Sequence, residues 1–194
     1  KIAITLQEKS DAQFFGQRAS QLKENFHKHF FLPEAGAYRD GIGTDHTALH
    51  ASMFPMAFGM VPDSVKASVM DFIRSRGMAC SVYGSQFLMD AIYETDDAEY
   101  ALERLVAKDD RGWFNMIELG STITLEAWDN KYKNNLDWNH AWGAAPANII
   151  TRKLAGVEPL EHGFKKIRIK PQIASLDWIK AAVPSIRGTI SVTA

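Results

Sequence analysis

Gly120-Ser121-Thr122-Ile123-Thr124-Leu125-Glu126-Ala127-Trp128-Asp129 is followed closely by Leu136-Asp137-Trp138-Asn139-His140-Ala141-Trp142-Gly143, and the reading of the whole chain turns on these two runs. A carboxylate stands among aromatics, and a polar turn then carries Asn-His with a Trp on either side. Aromatic faces suit the apolar faces of sugar rings, while a carboxylate and a His between them suit sugar hydroxyls and an attacking water. The plainer reading of the same residues is a buried, hydrogen-bonded Glu and a His opening a helix in an aromatic-rich core.

The order of these motifs resembles the α-L-rhamnosidases, large inverting glycoside hydrolases whose catalytic domain is an (α/α)6 barrel. The family's pattern runs roughly Gly-[Ala/Ser]-Thr-Thr-x-Trp-Glu-x-Trp-Asp, then a loop, then Asn-His-[Tyr/Ala]-x-[Phe/Trp]-Gly. A second match lies downstream in Leu154-Ala155-Gly156-Val157 and Gly163-Phe164-Lys165-Lys166-Ile167-Arg168-Ile169-Lys170-Pro171, the family's junction from the last barrel helix to a C-terminal β-domain. The resemblance implies that Glu126 is the general base and that His140 binds the sugar. Leu125 replaces the usual Trp before the Glu, Ala127 replaces a common Arg, and the loop from Glu126 to His140 is shorter than in typical members.

Working outward, the 194 residues are 46% hydrophobic and 11% aromatic, enough to bury a sizeable core. The net charge of −1 points to neither a nucleic acid nor a membrane surface as partner. No apolar run is long enough to span a bilayer. The single Cys80 excludes an internal disulfide framework and a cysteine-built metal site. No cofactor is expected. The chain opens at Lys1 without an initiator Met, so a piece of a longer protein is expected, with the missing N-terminal part as its partner; the compartment expected for that parent is the periplasm or the exterior.

Upstream of the motif the apolar residues keep helical spacing. Ser10 with Gln13 fits a capping box, and Phe15, Ala19, Leu22 and Phe26 continue to about Phe30. His27 and His29 read as surface or interface residues. Pro33 ends that helix, and the Gly-rich stretch Glu34–Thr44 reads as a loop or short hairpin. Such loops often line pockets, which makes Tyr38, Arg39 and Asp40 candidates for sugar contacts; a turn-forming Asp-Gly with a solvated Arg is the alternative. Asp45-His46-Thr47 is expected to open the next helix, kinked at Pro55, with His46 and His50 on one face. No Glu follows the first His and no third ligand is evident, so no metal is expected. Val61-Pro62-Asp63 starts a helix stopped by Gly77. Tyr83–Tyr93 reads as a buried inner helix, Asp97–Val106 as an amphipathic outer one capped by Asp96, and Trp113, Phe114 and Ile117 as a short helix. A last helix is expected over Trp138–Ala155, with Pro146 requiring a kink or a late start.

About seven helices alternate between apolar and amphipathic, the pattern of antiparallel helical hairpins around an axis. The expected class is therefore mainly α. The resemblance places these hairpins in part of an (α/α)6 toroid, which needs twelve helices. After Glu158-Pro159 the period becomes two: Ile167 and Ile169 read as a half-buried strand, with further strands at Leu176–Trp178 and Thr189–Val192 and a turn at Arg187-Gly188. The expected domains are residues 1–157, the C-terminal half of the barrel, and residues 158–194, the truncated start of a β-sandwich.

An inverting glycosidase needs two carboxyl groups roughly 6.5–9.5 Å apart, one protonating the leaving oxygen and one accepting a proton from water. The second role falls to Glu126. His140 is expected to bond a sugar hydroxyl, and Trp128 with Tyr83 to pack on the ring and on the methyl group of a 6-deoxy sugar, a discrimination of about 1–3 kcal/mol. No stretch matches the family's acid motif, and Glu118 reads as structural at a helix end. The implied reaction is release of terminal α-L-rhamnose from glycosides or polysaccharide side chains, by a parent of which this chain alone is inactive. The rival readings are another exo-glycosidase or a lyase on the same scaffold, and a non-catalytic carbohydrate-binding protein. A lyase needs a cationic group against a uronate, and few Arg lie near Glu126.

Overall fold

The computed structural model describes residues 1–194 and divides into two compact units, Lys1–Ile73 and Arg74–Ala194. The architecture is helical with short antiparallel strand pairs at the C-terminal end. No helix is long and apolar enough to cross a membrane.

The first unit begins with α1 (Ile2–Thr5) and the long α2 (Lys9–Phe30). The helix starts one residue before Ser10, and its N-terminal residue Glu8 makes no side-chain cap, so the capping box expected at Ser10 does not form. Helical spacing does predict α2, yet no residue of it is buried: Phe15 and Leu22 stand 60% and 63% exposed. Its C-terminal end packs instead. Phe26 stacks on Tyr38 at 5.1 Å, and His27 Nδ1 is hydrogen-bonded to the Tyr38 hydroxyl at 2.9 Å. Tyr38 lies on β2 (Ala37–Tyr38), paired antiparallel with β1 (Phe31–Leu32), so the Gly-rich stretch does form a small hairpin.

Leu49–Ala57 forms α3, with Pro55 inside it, and Lys66–Arg76 forms α4 after a 3-10 turn at Asp63–Val65. The start of α3 corrects an expectation. Residues 44–48 are irregular because Asp40 captures them: its carboxylate accepts from His46 Nδ1 at 2.5 Å and from the Ala48 amide at 2.8 Å. His46 thus lies outside the helix, and the i, i+4 pair with His50 does not exist.

In the second unit α5 (Ser85–Tyr93) is mostly buried, through Ser85, Leu88, Met89, Ala91, Ile92 and Tyr93, and packs on α6 (Ala98–Val106) and α8 (Ala145–Ile149). Asp97, not Asp96, caps α6, accepting from the Tyr100 amide at 3.4 Å. Trp113–Glu118 forms α7, and Glu118 is its last residue. The last helix starts late. Asn139 and His140 are extended or irregular, a 3-10 turn spans Ala141–Gly143, and Pro146 falls in the first turn of α8, where its missing N–H has no partner to lose. A π-helical stretch, Ile150–Leu154, continues it.

From there β3 (Val157–Pro159) pairs with β4 (Ile167–Ile169), and β5 (Lys180–Ser185) with β6 (Gly188–Thr193). β4 is exposed on both faces rather than half-buried, and Leu176–Trp178 is not a strand. Its apolar residues stand in the open, whereas Ile179 joins Leu154 and Ala155 in a small core with Ile173 and Ala181.

Ion pairs staple α8 to this strand pair. Glu158 accepts from Lys153 at 2.8 Å and pairs with Arg168, while Arg152 bridges Asp90 and Glu158. Burial pushes the Glu158 carboxyl up, but hydrogen bonds from Lys153 and Arg168 outweigh it and hold the group below the usual carboxylate range. A depressed carboxyl contributes stability that is present above its unfolded pKa and lost as pH falls through the folded one. Denaturant midpoints of the full-length protein are therefore expected to fall on acidification below the ordinary Glu range. Glu158→Gln should flatten that dependence and cost about 3 kcal/mol, because it takes the nearer carboxylate from the buried Lys153 and leaves it only Glu94, at 3.9 Å.

Candidate functional site

Two irregular segments run antiparallel and build the site. The His140 amide donates to Thr124 O at 2.9 Å, the Thr124 hydroxyl to His140 O at 2.8 Å, and the Glu126 amide to Asp137 O at 3.0 Å. Gly143 makes this approach possible: a Cβ there would stand 2.6 Å from Leu125 O and 2.9 Å from Thr124 Cβ. Trp113 clamps the turn by donating from Nε1 to Gly143 O at 2.8 Å. Leu125 points inward and is fully buried, which sends its neighbour Glu126 the other way.

Glu126 retains 18% side-chain exposure. One carboxylate oxygen accepts from Lys133 Nζ, the other from the Asp137 amide at 3.2 Å. The Lys133 hydrogen bond first, and the Asp137 amide second, hold the carboxyl below the usual Glu range, so it is ionised at neutral pH. Tyr83, just before α5, is hydrogen-bonded from its hydroxyl to His140 Nε2 at 3.2 Å. Burial, then the Glu126 charge, pushes the Tyr83 phenol up, keeping it protonated. Trp142 meets Tyr83 edge-on at 4.8 Å and is 68% exposed, beside an open cavity of about 710 Å³ lined also by Gln86, Asn148 and Arg152.

The structure thus brings together three predicted residues, Glu126, His140 and Tyr83. Trp128 departs from expectation. It is 3% exposed, donates from Nε1 to Cys80 O at 2.7 Å and meets Trp113 edge-on at 5.3 Å. Both its ring and its N–H are committed to the core, so it offers no face to a ligand here. Asp40 belongs to the first unit, where it fastens its own loop to the start of α3. Two further neighbours join Glu126, His140 and Tyr83: Trp142, one of the two Trp that flank the Asn-His turn, and Lys133, a loop lysine for which the sequence carries no periodic signal. No three His, Cys, Asp or Glu side chains converge as metal ligands.

Comparison with known proteins bears on this geometry. An α-L-rhamnosidase of Alteromonas sp. (strain LOR) is 25% identical over 209 aligned residues, covering all of this chain and 22% of that protein. Among solved structures, the α-L-rhamnosidase from Dictyoglumus thermophilum superposes with a TM-score of 0.86 at 22% identity, covering all of this chain and 22% of that one. The Streptomyces avermitilis α-L-rhamnosidase, solved with L-rhamnose, gives 0.75 at 18% identity over 94% of this chain and 18% of that one. The chain therefore spans about a fifth of the length of these relatives. Residues 1–154 match the bacterial alpha-L-rhamnosidase 6 hairpin glycosidase domain and residues 156–193 the bacterial alpha-L-rhamnosidase C-terminal domain, and the chain belongs to this family.

Proposed function

We propose that the protein containing this chain releases terminal α-L-rhamnose with inversion and that Glu126 is its general base. The observation that carries this is an ionised, partly exposed carboxylate held beside the Tyr83–His140 pair and an exposed Trp in a member of this family. Water attacks the anomeric carbon and passes its proton to Glu126, while the glycosidic C–O bond breaks and the leaving oxygen takes a proton from an acid outside residues 1–194. The carboxylate oxygens keep lone-pair capacity for that water beside the bonds they accept from Lys133 and the Asp137 amide. His140, oriented by Tyr83, bonds a sugar hydroxyl. Residues 1–157 contribute to the barrel and residues 158–194 begin the β-domain.

The test is the anomer formed first when the full-length protein cleaves an α-L-rhamnoside, followed by proton NMR. β-L-Rhamnose appearing first supports inversion, and α-L-rhamnose appearing first overturns it. Trp142→Ala should raise KM by about 3–10-fold, the worth of an aromatic stacking contact. Trp128→Phe should leave KM unchanged while destabilising the protein by about 1–3 kcal/mol, through the buried Cys80 carbonyl it strands.

A further inference from the structure

We propose that Lys133 is a positioning residue that fixes the Glu126 carboxylate for proton abstraction. This rests on the assignment of Glu126 as the base. The loop between Glu126 and His140 holds two lysines. Lys131 pairs with Asp110 and lies over the Tyr132 ring, away from Glu126. Lys133 turns the other way and donates to Glu126 Oε1, with its side chain 37% exposed.

The backbone contact from Asp137 fixes only the other oxygen. With a single anchor the carboxylate turns about its terminal torsion, which is broad for a Glu. A second donor on Oε1 leaves one orientation, and that orientation decides which lone pair meets the water. The other groups facing Glu126 do not substitute for Lys133. His140 Nε2 is taken by Tyr83, and its Nδ1 lies 3.8 Å from Asp137 Oδ2; Asp137 carries a like charge; Tyr83 is a neutral phenol. Lys133 is therefore the one cation in direct hydrogen-bond contact with the base, and a general base must be unprotonated to work.

The exposure of Lys133 makes the variant clean. A partly exposed ion pair contributes little to folding, so Lys133→Met should unfold at the wild-type midpoint. The experiment is the pH profile of kcat and of kcat/KM on p-nitrophenyl α-L-rhamnoside for the full-length protein, as wild type, Lys133→Met, Lys133→Arg and Glu126→Gln.

Lys133→Met is expected to lower kcat by up to about 10²-fold, the penalty of a base misplaced by 1 Å. It should also move the acid limb of kcat/KM to higher pH, because a carboxyl deprived of its cation protonates earlier on acidification. KM should change less than kcat, and Lys133→Arg should restore both the limb and most of the rate. A Lys133→Met variant with an unmoved limb and an undiminished kcat, beside an inactive Glu126→Gln, overturns this inference and leaves the base assignment standing. A Glu126→Gln variant that keeps its rate overturns both.

Discussion

Glu126→Gln in the full-length protein is expected to lower kcat on p-nitrophenyl α-L-rhamnoside by about 10²-fold or more, with the circular dichroism spectrum unchanged. The magnitude is that of removing general base catalysis, typically about 10²–10⁴-fold. The fold survives because the substitution is isosteric: the Asp137 amide still finds a side-chain oxygen, the backbone bond from the Glu126 amide to Asp137 O is untouched, and the partly exposed Lys133, which loses its acceptor, turns to solvent. What Gln lacks is a site for the water's proton. If the carboxylate acts only as the bond to water forms, kcat and kcat/KM fall together and KM stays near its wild-type value. Activity that survives the substitution would move the base to another residue. A wild type inactive on this substrate but active on another nitrophenyl glycoside would replace rhamnose as the substrate while leaving the test of Glu126 intact.

The residues that the linear motif places together, and that the fold brings together, share one property: their neighbours in the chain are also their neighbours in space. Glu126 and His140 lie in segments that pair directly, so a linear motif captured their association. The burial of α5 and the amphipathic face of α6 were legible from period alone, because each packs one face on adjacent helices. Trp128 was misjudged for a reason period cannot reveal. In an irregular segment the direction of each side chain is set by long-range bonds, here to Cys80 O, and the alternation of Leu125 inward with Glu126 outward does not continue to position 128.

Asp40 and His46 show the same limit. A helix-start pattern was present at Asp45-His46-Thr47, but a carboxylate from an earlier loop competed for the backbone and won. At the C-terminal end Leu176 and Trp178 offered the better strand pattern, yet the ladder formed at Lys180–Ser185, whose Pro184 is tolerated because β5 is an edge strand. Lys133 had no signal at all, since a lysine in a polar loop is ordinarily a solvated charge.

Gly156→Ala is expected to cost more than about 4 kcal/mol, beyond the ordinary range for a point substitution. Gly156 has φ +75°, a conformation that costs a residue with a Cβ about 1–2 kcal/mol. That strain is the smaller part. A Cβ here would stand 2.0 Å from Lys170 O, 2.1 Å from Lys170 C and 2.4 Å from Pro171 N, all backbone atoms with no rotamer by which to retreat. The Lys170 amide donates to Gly156 O at 2.9 Å, continuing the β3–β4 ladder, so relief requires the two strands to part. Parting them draws Arg168 away from Glu158, leaves Lys153 with a weakened partner and opens the small core of Leu154, Ala155 and Ile179. Three stabilising features of one junction are lost through a single methyl group. Hydrogen exchange over residues 154–170 of the full-length protein should locate the damage, with protection lost there first. Gly16→Ala is the matching control: its Cβ meets nothing within 4 Å in the middle of α2, and the substitution should stabilise by about 0.5–1 kcal/mol. A Gly156→Ala protein that unfolds at the wild-type midpoint with residues 154–170 still protected would mean that the strands accommodate the methyl group without parting, and would overturn this account of the close approach.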